Sequence, residues 1–236
     1  WTGFDYLGEP TPYWWPARSS YFGIIDLAGF PKDVYWFYQS EWTDRDVLHI
    51  FPHWNWNPGQ AVDVWAFTNC DEVELFLNGN SLGRQKKGKD DFNLVWRVQF
   101  EEGTLLAVGY RDGSEIMRSE VRTAGAPAAL TLSPDRAEIK ADGSDLSFIT
   151  VTVSDRDGNT VPHAANLVTF SVEGPGTIAG VDNGSQTSME PFRADYRKAY
   201  NGKCLVVLKA GKEKGGIRIT ASSEGLPDAA VVVKVR

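Results

Sequence analysis

The chain has 236 residues, 42% of them hydrophobic and 23% charged, which gives room for two domains with their own cores at ordinary globular composition. A formal charge of −7 speaks against a nucleic-acid partner, because phosphates demand a basic footprint. No apolar run approaches the roughly 18 residues of a bilayer-spanning helix, so no membrane insertion is expected.

In chain order, residues 1–43 read as a strand end, a loop and a helix. Phe4, Tyr6 and Leu7 continue an apolar strand that opens on Trp1, and Gly8-Glu-Pro-Thr-Pro12 forces a loop. Pro31 suits a first helical turn, where its missing N–H costs nothing. From there Val34, Tyr35, Phe37, Tyr38 and Trp42 recur at helical spacings and make an apolar face too wide for a lone surface helix. This segment is expected to fold back on the following domain through Trp54 and Trp56. The rest of its aromatic face, including Trp14 and Trp15, is expected to be covered by a second copy of the chain.

Residues 44–124 read as a β-sandwich, with strands at 47–51, 61–67, 72–77, 92–98 and 104–110. Val73, Leu75 and Leu77 alternate with Glu72, Glu74 and Phe76, and Asn78-Gly79 follows at once, the strongest short-range hairpin signal. Arg84-Gln-Lys-Lys-Gly-Lys89 reads as a solvated hairpin. Residues 125–236 begin on a small-residue linker and carry strands at 129–132, 138–140, 146–154, 167–172, 203–209, 217–221 and 230–235. All nine tryptophans fall at or before Trp96, so the two cores differ in chemistry and are not expected to merge. Trp65 and Trp96 are expected inside the first sandwich, Phe148 and Phe170 inside the second. The fold class is thus mainly β: two immunoglobulin-like sandwiches preceded by a strand, loop and helix.

Three runs point further: Trp1-Thr-Gly-Phe-Asp-Tyr-Leu-Gly-Glu-Pro-Thr-Pro-Tyr13, Trp14-Trp-Pro-Ala-Arg-Ser-Ser-Tyr-Phe-Gly-Ile-Ile-Asp26 and Phe30-Pro-Lys-Asp-Val-Tyr-Trp-Phe-Tyr-Gln-Ser-Glu-Trp42. Together they resemble the last strand, loop and helix of the (β/α)8 barrel of glycoside hydrolase family 2, the β-galactosidase-type enzymes. Residues 125–236 resemble the bacterial immunoglobulin-like modules appended to secreted polysaccharide-degrading enzymes. The resemblance implies a C-terminal part of a larger retaining β-glycosidase, with β-galactosidase the first expectation. Both catalytic glutamates would lie on earlier barrel strands, and the fragment alone would be inactive. The sandwiches would support the barrel or position an oligosaccharide or β-galactoside substrate, in the periplasm or outside a bacterial cell. A stand-alone carbohydrate-binding or adhesion module is the competing reading, and it needs an exposed aromatic platform.

The resemblance makes Trp1 a wall of the sugar pocket, where an aromatic face suits the C–H face of a pyranose; a barrel-core Trp is the plain alternative. Glu9 becomes a pocket-rim residue. Asp5 and Glu9 are not expected to be the catalytic pair, because four residues along a strand span about 13 Å and a retaining pair needs about 5 to 5.5 Å. Arg18, Asp26, Lys32 and Asp33 are expected as structural ion pairs and caps. Where some relatives place a sodium-holding Asn, this chain has Phe22, so no metal is carried over. His49, His53 and His163 lack metal-ligand spacing, and Asp182 with Asn183 in Gly180-Val-Asp-Asn-Gly184 reads as a structural turn. No cofactor is called for. Cys70 and Cys204 are expected as free, buried thiols. Trp54 and Trp56 read either as a sugar platform or as a wedge packing the sandwich on the barrel.

Overall fold

The computed structural model describes residues 2–236 and divides into two compact units, one of residues through Phe30 together with Ala124–Arg236, the other of Pro31–Thr123. The piece expected at 1–43 is therefore split between Phe30 and Pro31. Its strands and loop belong with the later sandwich and its helix with the earlier one. Trp1 lies outside the described residues.

In the first unit β1 (Thr2–Phe4) pairs in parallel with β2 (Gly23–Ile25). The second unit opens on α1 (Asp33–Trp42) and continues with β3 (Leu48–Phe51), β4 (Ala61–Thr68), β5 (Glu72–Leu77), β6 (Asn80–Lys86), β7 (Leu94–Gln99), β8 (Thr104–Arg111) and β9 (Ser114–Arg122). These strands form two antiparallel sheets, β3-β4-β7 and β6-β5-β8-β9. Alternation works as the sequence predicts: Val73, Leu75 and Leu77 of β5 are buried, and Asn78 and Gly79 turn the chain with φ of 51° and 83°. Opposite them Val62, Val64 and Ala66 of β4 and Leu94, Trp96 and Val98 of β7 fill the core.

The helix does not dock on Trp54 and Trp56. Trp54 is 0% exposed, packs edge-on against Phe100 at 5.1 Å and donates its indole N–H to the Glu101 carbonyl at 2.9 Å. It belongs to the sandwich core and is unavailable to a wedge. Instead α1 lies on the outer face of the β3-β4-β7 sheet. Phe37 meets Phe67 at 5.5 Å and Trp36 stacks on His49 at 5.3 Å, while Asp33 accepts from His49 Nε2 at 2.8 Å. Trp65 shares that outer face as the partner of Phe51 and is 38% exposed, contrary to expectation. Val64 and Ala66 already hold the inward positions of β4, and period-2 alternation sends Trp65 outward.

The first unit continues after the linker with β10 (Ala129–Pro134), β11 (Glu138–Ile139), β12 (Leu146–Ser154), β13 (Leu167–Glu173), β14 (Gly176–Asp182), β15 (Tyr196–Lys198), β16 (Lys203–Ala210), β17 (Gly215–Ser222) and β18 (Ala229–Val235). Sheets β10-β12-β16-β14 and β11-β18-β17-β13-β15 enclose a core of Ile149, Val151, Val153, Phe170, Val206, Leu208, Ile217, Ile219 and Val233. Phe148 is 42% exposed, since Ile149 takes the inward position beside it. Asp155 closes the turn after β12 and accepts from the backbone N–H groups of Gly125, Asp157 and Asn159 at 2.8 to 3.0 Å, which ties down the linker.

Candidate functional site

The segment from β1 to β2 is the stretch on which the substrate-side expectations fall. Parallel pairing aligns Thr2 with Gly23 and Phe4 with Ile25, and Asp5 N–H donates to the Ile25 carbonyl at 2.8 Å. Gly23 is required there, because a Cβ would run into the backbone of Phe4 and Asp5. Between the strands the chain makes an excursion whose two limbs are tied together. Ser20 N–H donates to the Tyr6 carbonyl at 2.9 Å, Tyr6 N–H to Ser20 Oγ at 3.1 Å and Gly8 N–H to the Arg18 carbonyl at 3.0 Å.

Glu9 sits on the exposed tip of that excursion with φ of 44°, and its carboxylate accepts from the Tyr6 hydroxyl. That hydrogen bond holds the Tyr6 phenol above its ordinary pKa, with lesser help from desolvation and the Glu9 charge. Asp5 is of another kind. It is 5% exposed, its Oδ1 accepts from Gly23 N–H at 2.9 Å and its Oδ2 from the Gln186 amide at 3.0 Å. A carboxylate so engaged braces the backbone, while Glu9 faces solvent. The two have separate partners and make no acid–nucleophile pair with each other.

Trp14 and Trp15 follow on a turn, 90% and 81% exposed, with Tyr13 lying against Tyr21 at 3.8 Å between ring centroids. Arg18 hydrogen-bonds through its backbone N–H to the Gln186 carbonyl at 3.1 Å and sets its guanidinium over Phe192 at 5.2 Å. Asp26 caps the turn after β2 by accepting from Ala28 and Phe30 N–H, both at 2.9 Å. Lys32 is the N-cap of α1 and gives it no side-chain cap, and Asp33 pairs with His49. Arg18, Asp26 and Asp33 thus make structural contacts, and Lys32 supplies no cap.

Gly180-Val-Asp182 is the end of β14 rather than the expected turn, because it pairs with β16, and Asn183 and Gly184 leave the strand beside a buried cation. Arg197 has no exposed surface, donates to Asp182 Oδ1 at 3.2 Å and the Val181 carbonyl at 3.1 Å, and comes within 3.9 Å of Glu190. Asn183-Gly-Ser185 matches a glycosylation sequon, but Asn183 is buried and donates its amide to the Lys198 carbonyl at 2.9 Å, out of reach of a modifying enzyme. Cys70 and Cys204 are free and buried; burial pushes the Cys204 thiol up to about 12 and raises Cys70 as well. Buried Trp54 and Trp96 offer no face to a sugar.

Sequence reasoning missed Gln186 and Arg197. Gln186 meets Asp5 across 181 positions, and no local pattern announces such a contact.

The comparisons with known proteins bear on this segment and on both sandwiches. A model described as glycoside hydrolase family 2 C-terminal domain 5 matches residues 130–232, and one for a domain of unknown function (DUF4982) matches residues 59–117. The chain is 57% identical over 234 residues to the β-galactosidase BoGH2A of Bacteroides ovatus, covering 99% of this chain and 28% of that protein. The chain belongs to glycoside hydrolase family 2, as a C-terminal region. A putative β-glucuronidase of Formosa agariphila is 36% identical over 95% of this chain and 23% of its own length. Among solved structures, a β-glycosidase from Bacteroides vulgatus superposes with a TM-score of 0.94 at 36% identity, over 100% of this chain and 30% of that one. The chain thus spans about a quarter of the length of the curated relatives it matches.

Proposed function

We propose that this chain is the non-catalytic C-terminal region of a retaining β-glycosidase that acts on β-galactosides or on oligosaccharides ending in them. The observation that carries the reading is the β1–β2 segment. It is a parallel strand pair whose intervening loop presents Glu9 and Tyr6 to solvent while Asp5 is braced behind them. A parallel pair needs further strands to complete a sheet, which suits the closing strands of a barrel. The name of the 57% identical relative supports galactose over glucuronic acid. Trp1 and Glu9 are assigned to the substrate side, Trp1 as an apolar wall and Glu9 as a polar rim. Residence in the periplasm or outside a bacterial cell belongs to the same reading, supported by the bacterial sources of the relatives.

The test uses the complete polypeptide and a chromogenic β-galactoside, with product configuration followed by NMR. Retention is expected, and Trp1→Ala is expected to lower kcat/KM by about two orders of magnitude, since it removes contact at the reacting sugar. Inversion, or preference for a β-glucuronide, would contradict the reading. Prepared alone, the chain is expected to associate with itself through Trp14, Trp15, Phe4 and Leu7, all exposed. Light scattering across a concentration series, with and without residues 1–30, checks this; a strict monomer refutes it.

A further inference from the structure

The loop between β14 and β15 grips the β1–β2 segment, and Gln186 is the residue that engages it twice. Its side-chain amide donates to Asp5 Oδ2 at 3.0 Å, and its backbone carbonyl accepts from Arg18 N–H at 3.1 Å. Asp5 and Arg18 stand on opposite limbs of the excursion that carries Tyr6 and Glu9, so a single residue fixes both limbs. The approach is close: Gly184, two positions earlier, has φ of 75°, and a Cβ there would enter the Asp26 carboxylate. Asn183 and Ser185 of the same turn are buried, and Asn183 Oδ1 accepts from Ser185 N–H at 3.0 Å, so the turn is rigid where it makes contact. An amide suits this position. It supplies a donor to a buried carboxylate without bringing a second charge into a poorly solvated place.

We propose that Gln186 is a positioning residue of the glycosidase active site. Through Asp5 it fixes the strand that follows Trp1 and the Tyr6–Glu9 tip, so the C-terminal sandwich sets the geometry of the substrate-side wall. The inference rests on the function proposed above. Gln186 touches no substrate. Its effect passes through the Gly23–Asp5–Gln186 chain of hydrogen bonds.

The experiment measures kcat/KM per titrated active site in the complete polypeptide. Gln186→Glu sets a second carboxylate against buried Asp5 and removes the donor. Asp5→Asn restores a donor to that pair, from the other side, while its oxygen still accepts from Gly23. The expected result is a fall of about tenfold for Gln186→Glu and recovery to within about threefold in the double variant, a coupling that a merely structural role would not show. Should Gln186→Glu fail to fold, Gln186→Met keeps the volume, lacks the donor and is expected to fall by about threefold. Unchanged kcat/KM per site in Gln186→Glu or Gln186→Met overturns the proposal, as does a loss confined to the number of active sites or a double variant no better than the worse single one. A wild-type polypeptide that cleaves no β-glycoside overturns the glycosidase reading itself, and this proposal with it.

Discussion

Arg197 has no exposed surface, yet it carries a charge that proteins do not neutralise. Its burial is tolerated because Nη2 reaches Asp182 and the Val181 carbonyl and Nη1 reaches the Glu190 carbonyl at 3.0 Å, with the Phe192 ring 5.3 Å from the guanidinium. Replacing it by Met strands Asp182 and Glu190 without their cation. Arg197→Met is expected to destabilise the C-terminal sandwich by about 3 kcal/mol, and Asp182→Asn by about 1 kcal/mol, read from urea midpoints at constant m-value. Cys204 gives a second prediction. With the folded thiol at about 12 and an ordinary value of 9.0, the folded state holds its proton where the unfolded state has lost it. The stability this contributes is whole below pH 9 and is lost as pH rises toward 12. Cys204→Ser should flatten that alkaline decline, and Cys204 should resist thiol reagents until the protein unfolds. The burial of Cys204 was legible in the sequence, and that of Arg197 was not. An Arg in a three-residue strand looks like a surface residue, and only the loop just before it, folded over its guanidinium, makes it interior.

Among the elements, alternation is the dependable signal. Val73, Leu75 and Leu77 point inward as their spacing requires. Trp65 and Phe148, expected inside, each sit one position out of phase with the buried residues of their strands. Strand β14 escaped notice because Gly176 and Gly180 interrupt it and a register shift falls between Ile178 and Gly180. The Asn78-Gly79 hairpin was legible, and it gives a clean test. Gly79 has φ of 83° and nothing within 4 Å of an added Cβ, so Gly79→Ala isolates backbone strain and is expected to cost about 1 kcal/mol. On α1, Phe37 joins Phe67 and Phe92 at 5.5 and 5.9 Å, and being half-buried it should cost about 2 kcal/mol on truncation to Ala. Thermal melts followed by tryptophan fluorescence would read both changes.

At the scale of the whole molecule, the chain departs from a simple series of a barrel remnant and two sandwiches. Residues 2–30 are integrated with the C-terminal sandwich, and the helix that follows them is integrated with the other. Family membership and sandwich architecture were legible because the N-terminal motifs are long and contiguous and the strands alternate. The partition was not, because it depends on Gln186 meeting Asp5 and Gly184 meeting Asp26, each across more than 150 positions. In the function proposed above, this chain shapes and braces a glycosidase active site without containing its catalytic pair. The decisive assay presents the purified chain alone with chromogenic β-galactoside, β-glucoside, β-mannoside and β-glucuronide. No turnover is expected on any of the four, since a retaining mechanism needs two carboxylates about 5 to 5.5 Å apart. Turnover that survives purification and disappears on Glu9→Gln or Asp5→Asn would contradict the proposed function.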